Sequence, residues 1–101
     1  MRLIIVPSDS FVSINGIGYS GLDLSFINPT IHAVQWYGTY GEVEYKDLAT
    51  GKMTANREIQ NIDEFQQVIA VWQAAKDAEA ARIEAARIEA ARLAAADSAQ
   101  T

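Results

Sequence analysis

Three consecutive pentapeptides, Glu79-Ala80-Ala81-Arg82-Ile83, Glu84-Ala85-Ala86-Arg87-Ile88 and Glu89-Ala90-Ala91-Arg92-Leu93, constrain this chain more than any other feature. Alanine loses no side-chain entropy in a helix, and Glu and Arg lose little. Each repeat also sets Glu three residues before Arg, an attractive spacing on a helix surface. The segment is therefore predicted to be helical even without a partner. A repeat of five advances about 500° around a helix of 3.6 residues per turn. Ile83, Ile88 and Leu93 consequently spiral and form no leucine-zipper stripe. Two narrower seams follow alternating steps of three and four residues: Val71-Ala74-Ala78-Ala81-Ala85-Ile88, and the shorter Ile83-Ala86-Ala90-Leu93. Either suits an alanine-rich coiled coil, and a solvated spacer or a helix folded back on the domain remain open. Ile83, Ile88 and Leu93 are the candidate partner-binding residues of this segment.

With the last third of the 101 residues committed to that helix, the core must come from residues 1 to about 72. A domain of that size buries only about 60% of the surface of its unfolded chain, so oligomerisation or a docked helix is expected to help stabilise it. The unit on this reading is a β-rich domain over 1–60. Leu3-Ile4-Ile5-Val6 is β-branched and apolar and ends in the turn-forming Pro7-Ser8-Asp9-Ser10. Phe11 to Ile14 gives a second strand, and Asn15-Gly16 has the tolerance of positive φ that two-residue hairpins need, leading into Ile17-Gly18-Tyr19. Leu22-Asp23-Leu24 alternates, and Asn28-Pro29 opens another turn. Ile31-His32-Ala33-Val34-Gln35-Trp36-Tyr37 has large apolar groups in both alternate sets, as expected of a central strand. In Glu42-Val43-Glu44-Tyr45-Lys46 the charged residues share one face. Met53 to Ile59 is polar enough for an edge strand. The predicted fold is α+β: a small antiparallel β-meander of five to six short strands packed on the start of one long C-terminal helix.

That helix is predicted to begin at Asn61, with Glu64 at capping-box spacing and Asp63 and Glu64 favouring the positive end of its dipole. Phe65, Val68, Ile69 and Trp72 form an apolar stripe for the sheet. Residues 61–75 thus pack on the sheet, 76–97 extend beyond it, and 98–101 are expected to be a disordered tail. From Asn61 to Asp97 the helix is about 50 Å long at 1.5 Å per residue, so it should project unless something receives it.

Chemistry is sparse. A net charge of -5 disfavours nucleic acid, whose phosphates need clustered Lys and Arg. The absence of cysteine closes thiolate chemistry and disulfides. His32, the only histidine, reads as a hydrogen-bonded structural residue on the central strand. Asp9, Asp23 and Asp47 lie at turns, where Asp bonds locally, and match no calcium loop. The glycines of Asn15 to Gly21 are turn glycines, since no helix or Lys-Ser/Thr pair follows them. Ser8, Ser10 and Ser13 have no assignable base. The expectation is a protein with no catalytic residue, cofactor or metal. The apolar run before Pro7 is shorter than a signal peptide requires, and no window approaches the roughly twenty apolar residues of a membrane span. The expected location is therefore inside the cell that makes it.

Among the aromatic residues, Trp36 and Tyr45 read as core. Tyr37 and Tyr40, at a Gly-rich tip, read as local packing or as rigid contact area for a protein or carbohydrate.

The run Ile4-Ile5-Val6-Pro7-Ser8-Asp9, then Gly18-Tyr19, Ile31-His32-Ala33-Val34-Gln35-Trp36, Gly41-Glu42-Val43-Glu44, and Asp63-Glu64-Phe65-Gln66 before a Trp-containing helix resembles small tailed-bacteriophage proteins of the tail-fibre gene region. The likeness covers about residues 3–75 and is most specific at Ile31 to Trp36. Related chains continue into a segment resembling tail-fibre assembly chaperones, where this one ends in its Ala-Glu-Arg helix. The resemblance implies a tail-fibre-binding accessory, an assembly factor in the host cytoplasm or a component of the virion tail, with a helix suited to a homo-oligomer or a bundle at the fibre's end. The alternative expectation is an acidic phage inhibitor that fills the basic groove of a host defence or nucleic-acid enzyme with Glu42, Glu44, Asp47, Asp63 and Glu64.

Overall fold

The computed structural model describes residues 1–99. Six strands, β1 (Leu3–Val6), β2 (Phe11–Ile14), β3 (Ile17–Tyr19), β4 (Ile31–Trp36), β5 (Gly41–Tyr45) and β6 (Arg57–Ile59), form one antiparallel sheet in the order β3-β2-β1-β4-β5-β6. A 3-10 turn over Asp63–Phe65 leads into α1 (Gln66–Ala99). The α+β architecture is the one expected from the sequence, with one difference in topology. The strand order is not that of a simple meander: β1 sits inside the sheet, bonded to β2 on one side and β4 on the other. Residues 20–30 carry the chain from one edge back to the middle, and Leu22-Asp23-Leu24 lies in this connection without joining the sheet.

Local chemistry explains the turns. Pro7–Asp9 makes a 3-10 turn closed by Ser10 in the left-handed region. Asn15 and Gly16 both have positive φ, 51° and 84°, as a tight hairpin of this twist demands. Asn15 does a second job, because its Oδ1 accepts from the Arg2 amide at 2.9 Å and its own amide donates to the Arg2 carbonyl at 2.8 Å. Asp23, Asn28 and Asp47 each accept hydrogen bonds from residues two ahead, as turn residues of these types do. The Ser25 hydroxyl and amide hold the Asp23 carboxyl below its ordinary pKa.

Cross-strand register places Leu3, Ile5, Val12, Ile14, Val34, Trp36 and Val43 on one face of the sheet, all buried. Phe65, Val68 and Trp72 of the helix, with Leu24 from the long connection, complete the core on that side. Trp72 packs edge-on to Tyr19, and Lys76 lies 5.3 Å over the indole. Among the described residues no helix covers the opposite face. It carries the half-buried Ile4, Val6 and Phe11 beside Gln35, Glu42 and Glu44.

Three local expectations are corrected. The capping box does not form: the Asn61 Oδ1 accepts from the Asp63 amide in a turn, no side chain caps the helix, and Glu64 is drawn to Arg57 at 2.8 Å. The predicted edge strand over Met53 to Ile59 shrinks to Arg57–Ile59, with Met53 forming only an isolated bridge to Lys46. Continuous helix runs through Ala99, two residues past its expected end, so Ser98 and Ala99 are not part of a disordered tail; residues 100 and 101 lie outside the described residues.

Candidate functional site: the tyrosine tip and the projecting helix

The β4–β5 connection, Tyr37-Gly38-Thr39-Tyr40, turns with the Tyr37 amide donating to the Tyr40 carbonyl at 2.8 Å and Gly38 at φ 110°, a conformation that favours glycine. The turn brings the two tyrosine rings to 5.2 Å between centroids, tilted by 31°. Both stay exposed, at 43% and 47%. The Arg2 guanidinium lies 4.3 Å from the Tyr37 ring centroid and donates to the Trp36 carbonyl at 3.1 Å and the Gln35 Oε1 at 3.1 Å. The Tyr37 hydroxyl donates to the same Oε1, while the Gln35 amide nitrogen donates to Glu44 at 3.0 Å. The result is a small tile of two tyrosines locked by a cation and an amide. It offers aromatic area and hydrogen-bonding groups.

Arg2 belongs to this tile and is absent from the residues singled out in the sequence. Its signal was positional. A basic residue directly before a strand that pairs with β4 is carried to the end of β4, because Leu3 stands opposite Trp36.

The second candidate surface is α1 itself. Burial along it ends near Glu79, and residues 80–98 are exposed throughout. The chain measures 69 × 31 × 18 Å as a consequence. Ile83, Ile88 and Leu93 are 55%, 56% and 54% exposed, large apolar side chains with no tertiary cover. The expected Glu–Arg pairs form within each repeat, at 3.2, 2.6 and 2.6 Å. The Arg87 and Arg92 hydrogen bonds hold Glu84 and Glu89 below the ordinary carboxylate pKa. The tyrosine tile and the helix residues are not brought together: the former ends the β4–β5 hairpin, whereas α1 packs over β2 and β3.

His32 is half-buried at a bulge between Ile31 and Ala33, outside the cross-strand ladder, and among the described residues none hydrogen-bonds its ring, contrary to expectation. Ser13 is buried in β2. Trp36 is core as expected, and Tyr45 is half-buried with its hydroxyl accepting from Arg57 Nε at 3.0 Å. Among the described residues, no group of three or more His, Cys, Asp or Glu is placed to hold a metal ion, and no helix is long and apolar enough to cross a membrane. A pocket of about 220 Å³ opens between the long connection and the helix start, lined by Phe26, Ile27, Ile31, Phe65, Val68 and Glu64 among others. It is smaller than the roughly 300 Å³ at which small-molecule sites begin.

Four of the five acids of the inhibitor alternative divide between faces and partners. Glu42 and Glu44 lie on the open face, whereas Glu64 is held by Arg57, whose strand partner Val43 belongs to the core face. Asp47 is occupied by the amides of its own turn. No family model, no curated protein and no solved structure matches the chain.

Proposed function

We propose that this protein is a non-enzymatic binding or assembly protein whose β-domain presents a long helix to a protein partner, and that the partner is a phage tail fibre. The observation that carries the first half is the exposure of residues 80–98, a helix built to be stable alone while displaying Ile83, Ile88 and Leu93. Apolar side chains of that size on a rigid rod contribute by being buried, about 1.5 to 3 kcal/mol each when fully covered. The fibre enters through the resemblance in residues 3–75. On this reading the protein acts in the host cytoplasm during assembly or stays in the virion tail, and the helix self-associates or joins the fibre bundle. The tyrosine tile supplies a second contact.

The test is the solution mass by light scattering over a concentration series, for the full chain and for a truncation ending at Lys76, followed by titration with the fibre protein encoded beside it. A complex or oligomer lost on truncation supports the reading. A monomer with no affinity for that fibre protein overturns it. The inhibitor reading is weaker because its acids lie on opposite faces. Salt separates the two, since a charge-driven contact slows steeply as ionic strength rises and an apolar helix contact does not.

A further inference from the structure

The unpartnered side of α1 opposite Trp72 carries charge in a pattern that names its own complement. The alternating steps through Ala78, Ala81, Ala85 and Ile88 continue to Arg92 and Ala95, all exposed. Consider a second copy laid along this face in parallel register. Ile88 would then meet Ile88 and Arg92 would meet Arg92 in the seam, among layers otherwise of alanine. The residues flanking the seam that meet across a parallel pair are five apart, and the repeat is also five long. Within the repeat like residues are therefore forced together, Glu84 against Glu89 of the second copy; Asp77 against Arg82 just before it is attractive, so the flanks cancel and the charge conflict of the parallel pair is Arg92 against Arg92 in the seam itself.

Reversing the second copy removes every one of these conflicts. In one antiparallel register Ala85 faces Ile88 of the second copy, Ala81 faces Arg92, and Ala78 faces Ala95. Each large side chain then lies against an alanine, which lets the backbones approach closely, and the Arg92 stem can cross Ala81 with its charge in water. The flanking pair becomes Arg82 with Glu89 of the second copy, made twice by symmetry and attractive. The β-domains do not obstruct this, because each packs on the Trp72 side of its own helix.

We propose that α1 pairs with a second copy of this chain in the antiparallel direction through its Ala78-to-Ala95 face, giving a strut with a β-domain towards each end. The inference rests on the binding role given to the helix above, and it turns a single tyrosine tile into two tiles on one rigid body. Two sites on one particle raise affinity for a repeated target without any new contact.

The chain has no cysteine, so single thiols report cleanly. Ala78→Cys and Ala95→Cys, on exposed helix positions, are oxidised separately and as a mixture of the full-length proteins. Antiparallel pairing places residue 78 beside residue 95 of the second copy and separates the two copies of residue 78 by about 25 Å along the axis. A reducible dimer in the mixture, and little in either variant alone, is the expected result. Cross-linking of Ala78→Cys with itself shows a parallel pair and overturns the proposal, as does a mixture that stays monomeric by light scattering. A monomer that still binds the fibre protein sinks the pairing and spares the docking role; a cross-linked pair that ignores the fibre does the reverse.

Discussion

The indole Nε1–H of Trp72 donates to the carbonyl oxygen of Ile17 at 2.8 Å, joining the helix to an edge strand 55 residues earlier in the chain. One side chain thereby fills the core beneath the sheet and satisfies a carbonyl at the sheet's end. Trp72→Ala should destabilise the domain by about 3 to 5 kcal/mol, enough to unfold so small a protein. Trp72→Phe keeps much of the packing and loses the donor, so a smaller cost of about 1 to 3 kcal/mol is expected. Urea denaturation followed by tyrosine fluorescence and circular dichroism measures both.

Gly41 is fixed by contact. A Cβ there would overlap the Gln35 carbonyl oxygen and lie 3.0 Å from Trp36 Cα and Cε3. These neighbours are backbone and a buried ring, with little room to retreat. Gly41→Ala should therefore cost about 1 to 3 kcal/mol, seen as a lower denaturation midpoint with an unchanged slope. Gly51→Ala meets no atom within 4 Å but adopts φ 71°, and separates backbone strain from overlap.

Arg57 holds Glu64 at 2.8 Å and Tyr45 at 3.0 Å, tying the edge strand to the helix entrance. The Glu64 carboxylate first, then the Tyr45 hydroxyl, push the Arg57 pKa further up. Both charged side chains remain nearly half exposed, 47% and 44%, so water screens the pair. A double-mutant cycle on Arg57→Ala and Glu64→Ala should return a coupling of about 0.2 to 1 kcal/mol that shrinks in high salt.

Glu84 and Glu89 are held below their ordinary pKa by Arg87 and Arg92. A carboxyl depressed in the folded helix stabilises it above the ordinary carboxylate value, and the benefit fades as pH falls through the depressed one. Amide exchange of residues 80–98, corrected for its intrinsic pH dependence, should therefore show less protection at acid pH than at neutral pH. High salt at neutral pH should shift protection in the same direction. Because these groups are fully exposed, the change should be small, and equal protection under all three conditions would refute it.

The elements most legible in the sequence were those that local chemistry decides. Asn15-Gly16 marked its hairpin because few other residues accept two successive positive φ values, and the Ala-Glu-Arg repeat specified its own helix. Phe65, Val68 and Trp72 were readable as the sheet-facing stripe because helix spacing alone brings them together. What local chemistry does not hold is the choice of neighbour for β1. Hairpins pair strands in sequence order, whereas the β1–β4 join depends on matching Leu3 and Ile5 to Trp36 and Val34 across some thirty residues. The capping box failed because Glu64 had a charged competitor in Arg57, seven residues earlier on the edge strand. At the tyrosine tile the rings were visible in the sequence, but the cation that locks them arrives only through the β1–β4 join.

That same join governs the order in which the sheet can assemble. β3-β2-β1 and β4-β5-β6 are each built from short-range hairpins, which close in microseconds, while the two halves meet only through a long-range zipper. A half formed on its own would be a three-stranded ribbon with an unsheltered apolar face until the other half and Trp72 arrive. Pulse-labelled amide exchange during refolding should show the two ribbons protected before the β1–β4 bonds. A seam between Leu3–Ile5 and Val34–Trp36 that forms last in refolding is, by reversibility, the first to part in unfolding, and protection of the β1–β4 bonds before either ribbon would refute this order.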